Sequence, residues 1–551
     1  MKFFEIGTSD FKEYINSGAY FIDKSLFIKE VWNDNKYILI TRPRRFGKTL
    51  NMSMLKYFFS NKEADENKEL FRELEISKYE DIMKEQGQYP VIFISFNGCD
   101  INDLESLKEL VVKKIKNELD RFDYLIDELP GRKAKKFENI LDSNKDSDLI
   151  ESIAYLSEIL HFATGKKPIL LIDEYDTPIN KAYTEGIYEE IINFMKAFYS
   201  NSIKDNIHVK KVIMTGVLRV AKESIFSGLN NLSVYTIRDK GYESCFGFTK
   251  GEVEEILNYF SIDRNIRSLE DYYDGYRFGD IEIYNPWSIM KYVENASKYN
   301  DYIEKPYWIN TSSNDIVVEL VNIKHKDGIE KLISGEEVID IIDENIAFRY
   351  IADESTSPWS LLYFSGYLKI SNEYDYGQVG LIIPNREVLH FFKNEIIKWF
   401  NIDMKIEEYI PIVLSLIKGD TESFKKGFKE ILTGVFSYFD LKGDESEQYY
   451  HVFTIGIMAL LSDNYIIKSN REAGDGRADL LIIPKDSSEL GIIMEFKKSD
   501  KEELLLKDAE IALKQINDKK YDNELLVLGV NNILKVGISF YNKECEMIFE
   551  Q

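Results

Sequence analysis

The sequence predicts an α/β protein: a parallel sheet built around a phosphate-binding loop, then a helical and mixed middle region, then a second α/β unit at the C-terminus. Three observations carry this. The apolar run Tyr37-Ile-Leu-Ile-Thr41 leads into a turn ending Gly47-Lys48-Thr49, and helical spacing follows at Leu50, Met54, Leu55 and Phe58, the strand–loop–helix context such a loop requires. Further unbroken apolar runs, Val91–Phe96, Pro168–Asp173 and Lys210–Gly216, are separated by helical segments such as Leu104–Phe122 and Ile187–Tyr199, which describes a parallel sheet covered on both faces. Near the C-terminus, two apolar runs, Ala478–Ile483 and Gly491–Lys497, carry isolated acids and a lysine.

Composition sets the bounds. With 551 residues the chain is too long for one core, and about two to four domains are expected; the changes of texture place them at 1–245, 246–400 and 401–551. The net charge of −25, from 70 basic and 95 acidic residues, argues against nucleic-acid binding by the whole surface, so any such contact requires a local site. No run of about 18 apolar residues occurs and the N-terminus lacks a basic-then-apolar layout, so a cytoplasmic chain without a membrane span is expected. Cys99, Cys245 and Cys545 are odd in number and far apart, which offers neither a disulfide framework nor a CxxC site. The histidines (His161, His208, His325, His390, His451) are equally scattered, leaving carboxylates as metal ligands and favouring Mg2+ or Mn2+ over zinc.

Residues 11–32 read as two short helices separated by Ser17-Gly18, the second entered at Asp23. At the loop, the backbone N–H groups around Gly47 have no carbonyl partners within the helix they open, so they and the helix dipole suit a polyphosphate such as that of ATP. Lys48 would reach the β- and γ-phosphates and Thr49 would place its hydroxyl on Mg2+. Arg42 stands where the usual GxxxxGK[ST] pattern has its first glycine. Together with Arg44 and Arg45 it adds positive charge, and Arg45 counts among the nucleotide-binding residues. The competing reading is a basic turn that caps a helix.

Ligands of such sheets bind at the carboxyl ends of the strands. There, Asp173 is placed to hold Mg2+, and Glu174 to orient and deprotonate the attacking water. Thr215 ends the next run and is either a sensor of the γ-phosphate or a turn residue. Arg219, just beyond it, is either an arginine finger in cis or a surface residue.

From Phe246 to about Tyr292 a small, mainly helical appendage is expected, with a capping box at Thr249 and Glu252 and a turn at Asp274-Gly275. Arg277 reaches the nucleotide from it or stays exposed. Residues 300–400 mix helices and short strands and hold no catalytic constellation.

In the C-terminal unit, period-two alternation puts Glu495 and Lys497 on one face of a strand and Phe496 on the other. Asp479, read as starting the preceding antiparallel strand, lies within cross-strand reach. Two acids and a lysine converging there fit a site where the acids bind Mg2+ or Mn2+ and the lysine positions water for attack on a phosphodiester. Glu447 and His451, four apart on a helix, offer a further metal ligand, and a helix over 504–517 brings Gln515 and then Tyr521 nearby. These are otherwise ordinary hairpin residues, but an acid and a lysine on an apolar strand are costly to bury unpaired.

The segments RPRRFGKT, LLIDEYDTPI, TGVLRVAKESIFSGLNN, FGFTKGEVEEIL, YYDGYRFG…YNPWSI and GRADLLI…IIMEFK…ALKQINDKKY resemble, in order and over nearly the whole chain, the prokaryotic AAA-ATPase-like proteins with a C-terminal PD-(D/E)XK nuclease-superfamily domain. The resemblance implies a P-loop ATPase joined to a restriction-endonuclease-like fold. By position, Lys48 and Thr49 match the Walker A residues and Asp173 and Glu174 the Walker B pair. Asp479, Glu495 and Lys497 match the nuclease motif, with Ala478 in place of its proline. The expected function is ATP binding and hydrolysis coupled to a Mg2+-dependent nuclease acting on DNA. The alternatives are an ATP-dependent switch or scaffold that binds nucleic acid or protein without cutting, and a motor that remodels protein partners. A homo-oligomer is compatible with each.

Overall fold

The computed structural model describes residues 3–99, 104–184, 187–219, 232–262, 266–309, 317, 325–344, 358–399, 406–435, 445–461, 464–473 and 476–551. The first sheet comprises β1 (Tyr37–Thr41), β2 (Val91–Ser95), β3 (Ile169–Asp173), β4 (Lys211–Gly216) and β5 (Leu232–Tyr235). They run parallel in the order β2-β3-β4-β1-β5. Every residue of β3 and β4 is buried, which is why their sequences are unbroken apolar runs. Pairing sets Thr41 beside Gly216 and Ser95 beside Asp173, so the functional ends of these strands lie level.

The appendage is mixed rather than mainly helical. It holds a three-stranded antiparallel sheet, β6 (Phe248–Thr249), β7 (Tyr276–Phe278) and β8 (Ile281–Tyr284) in the order β6-β8-β7, with the helices Lys250–Tyr259, Ile266–Tyr273 and Pro286–Tyr299. The capping box at Thr249 and Glu252 forms. Asn285 caps the last helix by accepting the Ser288 N–H, with Pro286 in its first turn, where a missing N–H costs nothing. Phe4 packs into this core beside Phe260 and Tyr284. Arg277 does not reach the nucleotide loop; it is exposed and donates to the Gly279 carbonyl at 3.2 Å.

The middle region carries β9 (Val338–Ile341), β10 (Lys369–Glu373) and β11 (Gln378–Ile382), antiparallel in the order β10-β11-β9. The helices Arg386–Trp399 and Glu445–Met458 pack together, and the helix Lys326–Ile333 lies against β9. The last sheet is β12 (Tyr465–Ala473), β13 (Gly476–Pro484), β14 (Gly491–Lys498), β15 (Ile533–Tyr541) and β16 (Glu544–Glu550), in sequence order, with β14–β15 alone parallel. The helix Leu505–Asp518 makes that crossover and covers one face, meeting Ala478, Leu481 and Ile493 through Ile516. The other face, with Leu480, Ile482, Ile492 and Met494, joins the same apolar core as the nucleotide sheet. Among the described residues no helix is long and apolar enough to cross a membrane.

Candidate functional site

The phosphate loop curls through two left-handed residues, Arg45 (φ 67°) and Gly47 (φ 85°). Glycine takes this conformation freely, whereas an arginine there costs about 1 kcal/mol. Arg42 directs the positive charge it adds to the loop into the fold. It is fully buried, donates to the carbonyls of Thr41 (2.8 Å), Tyr235 (3.0 Å), Thr236 (2.9 Å), Gly241 (3.2 Å) and Tyr242 (3.3 Å), and lies against the Phe246 and Phe278 rings. It thus pins the loop entrance to the end of β5, and burial lowers its pKa to about 10.

Lys48 opens the helix Lys48–Phe59 but folds back on the loop, donating to the carbonyls of Arg42 at 3.0 Å and Pro43 at 2.9 Å. Burial pulls its pKa down, against the acids Glu174, Asp176 and Asp173. Asp173 collects three hydroxyls: Thr49 at 2.9 Å and Ser95 at 3.0 Å on one oxygen, Thr215 at 2.7 Å on the other. Thr215 therefore supports Asp173 instead of pointing a free hydroxyl at the γ-phosphate position. Ser95 escaped sequence reasoning, although the register of β2 and β3 puts it beside Asp173.

Glu174 has a left-handed backbone (φ 52°) that turns it off the strand direction, and it lines the cavity over the loop. Burial and the Asp173 charge raise its pKa, with Lys48 opposing. Asp176, also missed, is fully buried and accepts the N–H groups of Val217 (2.9 Å) and Leu218 (2.8 Å), fixing the turn after β4. The repeated acid in Asp173-Glu174-Tyr175-Asp176 was the available signal.

The cavity has a volume of about 490 Å3 and is walled by the loop, by Glu5 and Thr8 from the N-terminal segment, and by Trp287 and Met290 from the appendage. That is the size range of small-molecule sites. The Arg45 guanidinium stacks 4.5 Å from the Trp287 ring centre. Arg219, partly buried just past Leu218, is not in the cavity wall, so the finger reading gains no support from this geometry.

In the last sheet Asp479 is the fourth residue of β13, not its start. The β13–β14 ladder nevertheless stops at Leu480 opposite Met494, which leaves Asp479 and Glu495 opposed just beyond it. The Phe496 N–H donates to Asp479 Oδ2 at 2.7 Å and the Asp479 N–H to Glu495 Oε2 at 3.3 Å. Gln515, from the helix Leu505–Asp518, donates to the other Glu495 oxygen and lies 3.4 Å from the Tyr521 hydroxyl. Burial and the Asp479 charge push the Glu495 carboxyl well above the usual range, with Lys497 and Gln515 opposing. Lys497 follows two residues on, partly exposed.

His451 does not turn to this carboxylate pair. Its Nε2 donates to the Asp479 backbone carbonyl at 2.9 Å and its Nδ1 is 3.8 Å from Glu330. The helix bearing it packs on β14 beside Phe496, on the face away from Gln515. Glu447 lies on the same helix, with its side chain outside the described residues. Among the described residues no group of three or more His, Cys, Asp or Glu side chains gathers to hold a metal. The Thr49–Asp173 and Asp479–Glu495 oxygen donors still suit Mg2+, which keeps several waters and needs only one or two carboxylates.

Residues 5–226 match the family model described as a predicted AAA-ATPase, and residues 445–550 match that of the PD-(D/E)XK nuclease superfamily. A stretch of 377 residues is 26% identical to an uncharacterized protein in the vnfD 5' region of Azotobacter chroococcum mcd 1. The match covers 67% of this chain and 64% of that relative, which is less than two thirds of its length. The parallel sheet and loop thus fall in the segment that is similar to predicted AAA-ATPases, and the opposed acids of the mixed sheet in the segment that is similar to the PD-(D/E)XK nuclease superfamily.

Proposed function

We propose that the protein binds and hydrolyses ATP at the loop, and that this cycle controls a Mg2+-dependent nuclease site acting on DNA in the cytoplasm. The division into units 1–245, 246–400 and 401–551 belongs to the same reading. The observation that carries the ATPase half is the Thr49 hydroxyl 2.9 Å from Asp173, with Glu174 beside it in the cavity wall. Lys48 exchanges the carbonyls of Arg42 and Pro43 for the β- and γ-phosphates, while Arg45 and the Gly47 N–H add to the cradle. Thr49 and Asp173 hold Mg2+, with Ser95 and Thr215 fixing the aspartate. Glu174, its proton affinity raised, takes the proton of the attacking water. At the second site Asp479 and Glu495 hold the metal and Lys497 orients the water or meets the charge that develops on phosphate. Mg2+, when bound, supplies Lewis-acid stabilisation of that charge.

The net charge of −25 keeps a second reading alive, in which the C-terminal unit binds nucleic acid through a local site, or a protein, without cutting. Incubating the pure protein with plasmid, single-stranded DNA and RNA, with Mg2+ or Mn2+ and with or without ATP, separates the two. Cutting that Asp479→Ala abolishes supports the nuclease. ATP turnover with binding but no cutting under any condition leaves the scaffold.

A further inference from the structure

Three consecutive residues of the phosphate loop are each gripped from outside the nucleotide sheet. Pro43 lies so close to Gly366 that a Cβ there would come within 3.0 Å of it. The Arg44 carbonyl accepts the indole N–H of Trp308 at 3.1 Å. The Arg45 guanidinium rests on Trp287.

The last two grips share an anchor. Glu387, fully buried in the first turn of the helix Arg386–Trp399, accepts the Trp308 backbone N–H at 2.7 Å and the Ser288 hydroxyl at 3.0 and 2.8 Å. Ser288 is the neighbour of Trp287. Among the described residues no cation pairs with Glu387, and burial pushes its pKa up to about 7. A carboxyl buried without a cation is unfavourable in itself, so what it orients is its use. What it orients is a loop with an arginine in place of its first glycine and a second arginine in a left-handed backbone, a conformation that persists only where the surroundings over-determine it.

We infer that Trp308 and Glu387 are positioning residues of the nucleotide site, holding the Arg44 carbonyl and, through Ser288, the Trp287 ring, so that Arg45 and the Gly47 N–H are set for polyphosphate before it arrives. The inference rests on the ATP-binding reading. It also extends the working parts of that site to the middle region, more than 250 residues along the chain from the loop.

Trp308→Phe is the test, because phenylalanine keeps an aromatic ring beside Tyr276 and Tyr367 while removing the N–H together with part of the indole's volume. Titration of the full chain with Mg2+ and a non-hydrolysable ATP analogue should show affinity about five- to tenfold weaker than wild type, the worth of one hydrogen bond. KM for ATP should rise by the same factor while kcat at saturation holds, and the packing lost with the smaller ring is read separately as a lower melting temperature. Glu387→Gln, which can turn its oxygen to the Trp308 N–H and its amide to Ser288, should bind nearly as wild type. Glu387→Ala should bind at least as weakly as Trp308→Phe. Equal affinity and equal KM in Trp308→Phe overturn the inference, as does a loss of kcat without loss of affinity. A wild-type chain that gives no binding signal instead removes the ATP reading itself.

Discussion

Asp479 and Glu495 exchange backbone contacts where their strands part: Asp479 accepts the Phe496 N–H at 2.7 Å, and Glu495 accepts the Asp479 N–H at 3.3 Å. Each acid therefore satisfies a backbone donor that the ladder leaves over, and the two are brought together by the end of pairing. Asp479→Ala is expected to abolish both Mn2+ binding at this site and cleavage. Lys497→Ala should abolish cleavage and leave Mn2+ binding nearly intact, because an ammonium group is no metal ligand. ATP hydrolysis should survive both. Calorimetry with Mn2+ beside a plasmid-nicking assay checks the pair, and cleavage retained in either variant removes that residue from the chemistry.

At the loop, Lys48→Ala should weaken ATP binding, since the cavity loses its buried cation. Glu174→Gln should keep ATP affinity and lose turnover by about a hundredfold or more, the usual effect of removing a general base. Normal hydrolysis by Glu174→Gln would move the base elsewhere.

Gly216 tests the buried clasp after β4. A Cβ there would lie 2.5 Å from Asp176 Oδ1 and 2.6 Å from the Tyr175 ring. Neither neighbour can withdraw freely, because Asp176 holds two N–H groups and the Tyr175 hydroxyl donates to the Leu218 carbonyl at 2.6 Å. Gly216→Ala should destabilise the protein by about 1–3 kcal/mol, as overpacking does, read as a lower urea midpoint. An unchanged midpoint would mean that the clasp is slack.

Glu387 makes stability depend on pH with a definite sign. Its carboxyl titrates from 4.5 in the unfolded chain to about 7 when folded, so the folded state holds the proton more tightly. The phenols of Tyr273, Tyr276 and Tyr307 face it, and its charge raises them in turn. Its contribution is full below the lower value and is lost as pH rises through the upper one, a difference on the order of 3 kcal/mol. Glu387→Gln should flatten the fall of the urea midpoint between those two pH values. A slope identical to wild type would show that Glu387 titrates normally in the folded protein.

The strands β1 to β4 were legible because each is a buried, unbroken apolar run. β5, Leu232–Tyr235, was not: it is a half-exposed edge strand, short and without a distinctive period. The two- to four-residue strands of the appendage are likewise too brief for alternation to register. Lys48, Thr49 and Asp173 could be grouped because local motifs place them at strand ends. Arg42 could not be read, since most of its carbonyl partners lie 193 to 200 residues away. Ser95 required the strand register, and His451 required knowing which face of the sheet its helix covers.

The apolar core that holds Phe11 and Ile172 also holds Ile492 and Met547 without a break, and this rules out a tethered-module picture of the C-terminal sheet. A module on a flexible linker samples orientations and acts through its effective concentration. This one shares a packed wall with its neighbours, so its position is set by close packing rather than by the length of a tether. It also means that severing the chain near residue 445 would leave the helix Glu445–Met458 on β14 but part β16 from the helix Thr421–Val435, and both fragments would meet water with apolar surface from the shared core.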